Sequence, residues 1–193
     1  LPKSAKIESG KMIVNGIDIT GYSERDMRKL RGKMFSMIFQ DPMTALNPTM
    51  TIGKQIEEAI FVHEPKIKKE ELYRRVIELM ELVGIERPQE RYKAYPYNFS
   101  GGMRQRSVMA IALAANPKIL LADEPTTALD VTIQAQILDL LKEIQKKLGT
   151  ATILVSHDLG VVARAADRVA IMYAGKIVEI GTAEEIYYDP RHP

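Results

Sequence analysis

Ile119-Leu120-Leu121-Ala122-Asp123-Glu124-Pro125 is the stretch on which the reading of this chain turns. Its four leading apolar residues have the length of a buried strand, and the two acids stand where that strand must end. In open α/β sheets ligands gather beyond the carboxyl ends of parallel strands, so this position sets two carboxylates at the ligand edge. Asp123 is placed there to hold a magnesium ion through water. Glu124 is placed to orient and polarise an attacking water. The competing reading is two solvated acids at a strand end ahead of a turn proline.

Outward from this strand the pattern alternates. Residues 131–148 form a long amphipathic helix closed by Gly149, 152–155 a strand, 159–165 a helix and 168–172 a strand. Ala174-Gly175-Lys176 then turns the chain into 177–180, which pairs back as a hairpin. On the other side, 34–39 is a mostly apolar strand running into Gln40-Asp41-Pro42, and 44–50 is a loop broken by Asn47-Pro48. A short strand at 11–14 is closed by Asn15-Gly16, and 24–30 is a short polar helix. Residues 51–84 are helical, with one stripe of Ile52, Ile56, Ala59 and Ile60 and a second of Leu72, Val76, Leu79, Met80 and Val83. Gly84 closes the second helix. Residues 88–98 are irregular and aromatic, and Ser100 caps a helix over 103–115. Apolar strands separated by helices predict a parallel sheet covered on both faces.

The totals fit that class. The chain has 193 residues, 46% hydrophobic and 27% charged, with a formal net charge of +2. Such a charge gives no footprint for nucleic acid, and the cations are interleaved with acids, as in Lys68-Lys69-Glu70-Glu71. With no cysteine there is neither a disulfide framework nor a thiolate metal site. No apolar run approaches the roughly 20 residues needed to cross a bilayer. Leu1-Pro2-Lys3-Ser4 has no signal-peptide pattern, and both ends read as cut from a longer chain.

Four further groups carry chemistry. In Phe99-Ser100-Gly101-Gly102-Met103-Arg104-Gln105-Arg106, two glycines before a helix leave backbone N–H groups at the positive end of its dipole, an anion site to which Ser100 adds a hydroxyl. The alternative is an ordinary capped helix. His157, just past a strand, is placed to donate to a phosphate oxygen or hold a water, unless it is a structural loop histidine. Gln40, also past a strand end, reaches a metal or a water through its amide oxygen. Asp130 is placed to cap the helix that begins near Val131, a role that can coexist with a functional one.

Gln40, Ser100-Gly101-Gly102, Asp123-Glu124, Asp130 and His157 occur in the order and spacing of the ABC transporter ATPases. They resemble that family's Q-loop, signature, Walker B, D-loop and H-loop, and the resemblance spans essentially the whole chain. Within the family, Phe39-Gln40-Asp41-Pro42-Met43-Thr44-Ala45-Leu46-Asn47-Pro48, Met103 and the ending Tyr188-Asp189-Pro190-Arg191-His192-Pro193 resemble the dipeptide and oligopeptide importers.

The resemblance implies an α/β P-loop NTPase (RecA-like) fold with a helical subdomain: residues 1–43 as the remainder of the N-terminal part, 44–99 as the helical subdomain, and 100–193 as the signature helix and C-terminal part. It implies ATP and Mg2+ as cofactors, with Asp123 and Gln40 serving the metal. Glu124 is then the catalytic base, His157 the γ-phosphate sensor and Gln40 the link to the membrane partner. Ser100, Gly101, Gly102 and Asp130 act across the interface with a second ATPase subunit. Further implied partners are transmembrane permease subunits and, indirectly, an extracellular solute-binding protein, with the chain on the cytoplasmic face of the membrane and no nucleic acid bound.

One element of the family pattern is not in the sequence. No Gly-x-x-x-x-Gly-Lys-Ser/Thr occurs, since Gly10-Lys11 and Gly53-Lys54 lack both the earlier glycine and the hydroxyl residue. The N-terminal P-loop portion is therefore expected to precede Leu1. The stretch by itself is expected not to hydrolyse ATP, and to expose apolar sheet surface and associate. Other readings are an importer ATPase for another small solute such as nickel or a sugar, or a non-transport ABC ATPase. The compact segment between Gln40 and Ser100 leaves no room for the long coiled coils of the DNA-repair members.

Overall fold

The structure, a computed structural model, describes residues 7–127 and 129–192. The chain divides into two compact units, residues 1–31 and 32–193.

In the first unit, β1 (Ile13–Val14) and β2 (Ile17–Asp18) pair antiparallel. Asn15 and Gly16, at φ 48° and 77°, supply the two left-handed residues that a tight hairpin turn requires. α1 (Glu24–Leu30) starts where the Ser23 hydroxyl accepts from the Asp26 N–H, and it places acids in its first turn and bases in its last.

The second unit is built on a three-stranded sheet in the order β3 (Phe35–Ile38), β4 (Ile119–Asp123), β5 (Ala151–Val155), all parallel. β3 leads into α2 (Pro42–Ala45), then α3 (Ile52–Phe61), α4 (Lys69–Leu82), the single turn α5 (Pro88–Arg91) and a 3-10 turn at Pro96–Asn98. α6 (Gly101–Leu113) returns the chain to β4, and α7 (Val131–Leu148) connects β4 to β5. After α8 (Leu159–Ala165) come β6 (Arg168–Tyr173) and β7 (Lys176–Thr182), an antiparallel pair, then α9 (Ala183–Tyr188).

The core lies on one side of the parallel sheet. Ile38 and Leu120 enter it from β3 and β4, meeting Val108, Met109 and Leu113 of α6 and Ile137 and Ile144 of α7. The two predicted stripes are its other wall: Ile52, Ile56 and Ile60 from α3, with Val76 and Met80 from α4, are at most 1% exposed. Each such side chain contributes roughly 1.5–3 kcal/mol of hydrophobic stabilisation. α6 is buried nearly all round because it packs against α2, α3, α4, α7 and β3.

Polar side chains fix what lies between the helices. Gln55 accepts from the Asn47 N–H and donates to the carbonyls of Asn47 and Met50, which ties the Asn47-Pro48 bend to α3. Arg106 donates to the Val83 carbonyl at 2.7 Å and so satisfies the end of α4.

Four expectations are corrected. Among the described residues one face of the sheet is left largely open: Met37, Ile153 and Val155, whose side chains alternate away from the core, are 37, 54 and 53% exposed. The expected open apolar sheet surface is thus present. β6 pairs with β7 alone among the described residues, so the alternation of strands and helices does not extend the parallel sheet to β6. Part of the loop predicted over 44–50 is the end of α2, which Asp41 caps and Pro42 opens. The helix predicted from Met103 begins at Gly101, because Ser100 itself is the N-cap.

Candidate functional site

Three loops leave the carboxyl ends of the three parallel strands, and each runs into a helix that an aspartate caps. After β3 comes Gln40, and Asp41 accepts from the Met43 N–H at 2.8 Å to start α2. After β4 comes Glu124, and Asp130 accepts from the Ile133 N–H at 3.0 Å to start α7. After β5 comes His157, and Asp158 accepts from the N–H groups of Gly160 and Val161 to start α8. Each functional candidate is held between a hydrogen-bonded strand and a fixed helix end, which leaves its backbone little freedom.

These loops converge on one carboxylate. Glu124 Oε2 accepts from Gln40 Nε2 at 2.8 Å and from Thr127 Oγ1 at 3.0 Å, and Oε1 lies 2.8 Å from His157 Nδ1. The Glu124 side chain is 23% exposed and that of His157 69% exposed, so the carboxylate sits inward of the imidazole. The hydrogen bond from His157, followed by that from Thr127, holds the Glu124 carboxyl below the usual carboxylate range. The same carboxylate raises His157 above the usual imidazole value. An ionised carboxylate can only accept, so Nδ1 carries the shared proton and Nε2 is left for another partner.

The backbone makes this placement at a local strain. Glu124 has φ 43°, in the left-handed region. Its N–H donates to the Val155 carbonyl at 2.9 Å, one step past the last β4–β5 pair, and its carbonyl accepts from the Thr127 N–H at 3.3 Å. The ladder and the turn together hold a conformation that glutamate alone disfavours.

Asp123 is the last residue of β4, in register with Val155, and so stands beside Glu124 at the same rim. With the Gln40 amide nitrogen given to Glu124, the amide oxygen is the atom Gln40 has left for a cation. Among the described residues no group of three or more His, Cys, Asp or Glu gathers to hold a metal. One carboxylate and one amide oxygen fit a small hard cation such as magnesium, which takes one or two protein oxygens and completes its shell with phosphate and water.

The remaining candidates form a second group. Ser100 caps α6, its hydroxyl accepting from the Met103 N–H at 3.4 Å. A Cβ on Gly101 would come 3.4 Å from Leu129, and one on Gly102 would come 2.7 Å from Ile133 Cγ2. Gly102 therefore lets the start of α6 pack against the first turn of α7, where Asp130 is the cap, while Gly101 lies beside Leu129 at ordinary contact distance. Among the described residues no hydrogen bond or ion pair links Ser100, Gly101, Gly102 or Asp130 to Glu124. The structure brings Gln40, Glu124 and His157, each expected at a strand end, together at one rim, and adds Thr127, which the sequence reading did not name. A hydroxyl three residues beyond an acid, in the turn after a strand, was the available signal.

Comparison with known proteins follows the same lines. The ABC transporter family profile matches residues 1–127. The oligopeptide transport ATP-binding protein OppD of Bacillus subtilis is 63% identical over 184 residues, which are 95% of this chain and 51% of that protein. The dipeptide transport ATP-binding protein DppD of the same organism is 57% identical, covering 100% of this chain and 57% of its own. The chain thus spans about half the length of the curated relatives it matches. Among solved structures, the dimeric ATP-binding cassette MJ0796 bound to ADP and Pi has a TM-score of 0.78 at 28% identity, covering 91% of this chain and 74% of that one. The structure of cbiO1 from Clostridium perfringens, part of the ABC transporter complex cbiONQ, has a TM-score of 0.84 at 28% identity, covering 96% of this chain and 71% of that one. Among the described residues no helix is long and apolar enough to cross a membrane. In fold and sequence alike, this chain belongs to the ABC transporter family of ATP-binding cassettes.

Proposed function

We propose that the protein is the ATP-binding subunit of an ABC importer, coupling ATP binding and hydrolysis to the uptake of dipeptides or oligopeptides. The observation that carries this is the Glu124 carboxylate at the rim of a parallel sheet, with Gln40 and His157 from the two neighbouring strands on its two oxygens. The peptide cargo is supported by the curated relatives, which are dipeptide and oligopeptide transport ATP-binding proteins.

In this reading Glu124 is the general base. It is ionised at neutral pH and aimed by partners on both oxygens, so it can take a proton from a water set against a γ-phosphate. His157, with Nδ1 committed to Glu124, offers Nε2 to the phosphate, and as an imidazolium it donates there. Asp123 and the Gln40 amide oxygen would hold magnesium, whose charge offsets that of the phosphate oxygens. Ser100, Gly101, Gly102 and Asp130, grouped apart from Glu124, serve the nucleotide of a second ATPase subunit. That MJ0796 is a dimer bound to ADP and Pi supports such an arrangement. Residues 44–99 form a helical subdomain that receives a transmembrane permease, with residues 1–43 and 100–193 on either side of it in sequence. The protein then works at the cytoplasmic face of the membrane, and an extracellular solute-binding protein delivers cargo to its permease.

The test is Glu124→Gln in the full-length protein. The amide keeps the shape and cannot take a proton, so MgATP turnover should fall to background while ATP binding persists and an ATP-bound dimer accumulates in size-exclusion chromatography. Normal turnover by the variant would remove Glu124 from its role.

A further inference from the structure

We infer that Thr127 is a positioning residue for Glu124, the one partner able to keep the carboxylate aimed while the other two are engaged elsewhere. The inference rests on the proposed ATPase reading and adds to it a residue whose task is orientation. Gln40 and His157 come from loops 84 and 33 residues away in sequence and reach Glu124 only through sheet pairing. Each also has a second task at the site through its other polar atom, Gln40 toward the metal and His157 toward the phosphate, so a movement of either side chain to serve that task also shifts its bond to Glu124. Thr127 is different. It belongs to the same turn as Glu124, with its N–H donating to the Glu124 carbonyl at 3.3 Å and its hydroxyl to Oε2 at 3.0 Å.

The need for such a partner follows from the backbone. Glu124 sits at φ 43°, anchored by its N–H to Val155, so its main chain is fixed while its side chain retains three torsions. A hydroxyl three residues on closes a short ring from backbone to carboxylate and removes that freedom at little entropic loss. Thr127 is itself exposed, so its methyl packs into no core and its hydroxyl is the part that matters.

The experiment compares Thr127→Val, which keeps the shape and deletes the donor, with Thr127→Ser, which keeps the donor, in the full-length protein with MgATP as substrate. Loss of one hydrogen bond to a charged group should lower kcat by about tenfold in T127V, with KM for ATP within about twofold of wild type. T127S should restore kcat to within about threefold of wild type. A T127V kcat equal to wild type, or a T127S as slow as T127V, overturns the inference. Glu124→Gln in the same assay separates the two levels. If E124Q is inactive and T127V is normal, only the role of Thr127 falls; if E124Q turns over normally, the reading of the site falls with it.

Discussion

Replacing Gly102 with alanine adds one methyl group at a place the structure leaves no room for it. Gly102 is the second residue of α6 and is buried; its new Cβ would stand 2.7 Å from Ile133 Cγ2 and 3.9 Å from Ile133 Cβ and Cδ1. Carbon atoms rest at about 3.5–4.0 Å, so α6 and α7 must separate locally by about 1 Å. Ile133 cannot swing aside, because Cγ2 is attached directly to Cβ and helical isoleucine has one strongly preferred χ1. Overpacking of this kind costs about 1–3 kcal/mol, against a gain of at most about 1 kcal/mol from alanine's helix propensity. The net expectation is a loss of up to about 2 kcal/mol, and a clear loss relative to a Gly→Ala change that meets no clash. Gly101→Ala is the internal control: its Cβ would lie 3.4 Å from Leu129 Cδ2, the far end of a flexible side chain. That variant should match wild type or gain up to about 1 kcal/mol. Equilibrium urea unfolding of the full-length protein without nucleotide measures both. Equal stability of the two variants would refute the claim that Gly102 is glycine because of helix packing, leaving phosphate contact as its sole reason.

Two further outcomes separate structure from chemistry elsewhere. Asp130 both caps α7 and is a candidate for communication between subunits; Asp130→Asn keeps a good cap and should hold its stability, whereas Asp130→Ala should lose about 1 kcal/mol in urea unfolding. If D130N nonetheless loses MgATP turnover, the charge has a role beyond the cap, and if it keeps full turnover it has none. At α9, the Thr182 backbone N–H and then the Thr182 hydroxyl hold the Glu185 carboxyl below its usual value of 4.5. A depressed native value stabilises the fold above pH about 4.5 and loses that effect as pH falls through the native value. Glu185→Gln should therefore be less stable than wild type at neutral pH, with the gap narrowing below about pH 4.5; a gap that does not change with pH removes the carboxylate as its cause.

Much of this architecture is written in local signals, and the limits of those signals are physical. α7 and α8 begin and end where expected because Asp130, Gly149 and Asp158 are strong punctuation, and Gly149 takes the left-handed value of φ 64° that closes a helix. α2 went unread although Asp41-Pro42 is a cap followed by a helix-opening proline, because the Asn47-Pro48 breaker six residues on suggested a loop. That β6 leaves the parallel sheet has no local signature, since an apolar strand reads the same in either partner's company. The convergence on Glu124 is of that second kind: residues 40, 124 and 157 each announce themselves as strand-end polar groups, but only the order β3-β4-β5 makes them neighbours.

Because of that order, the site is a gauge of strand alignment. Ile38, 0% exposed, faces Ala122 in the β3–β4 pairing, and Gln40 stands in the bend two residues beyond it. Sliding β3 by a single residue would turn Ile38 out to water and displace the bend that brings Gln40 to Glu124. The roughly 1.5–3 kcal/mol gained by burying one isoleucine therefore guards a hydrogen bond it never touches. Misaligned chains would be found out by their greasy surface before they could offer a half-built reaction centre.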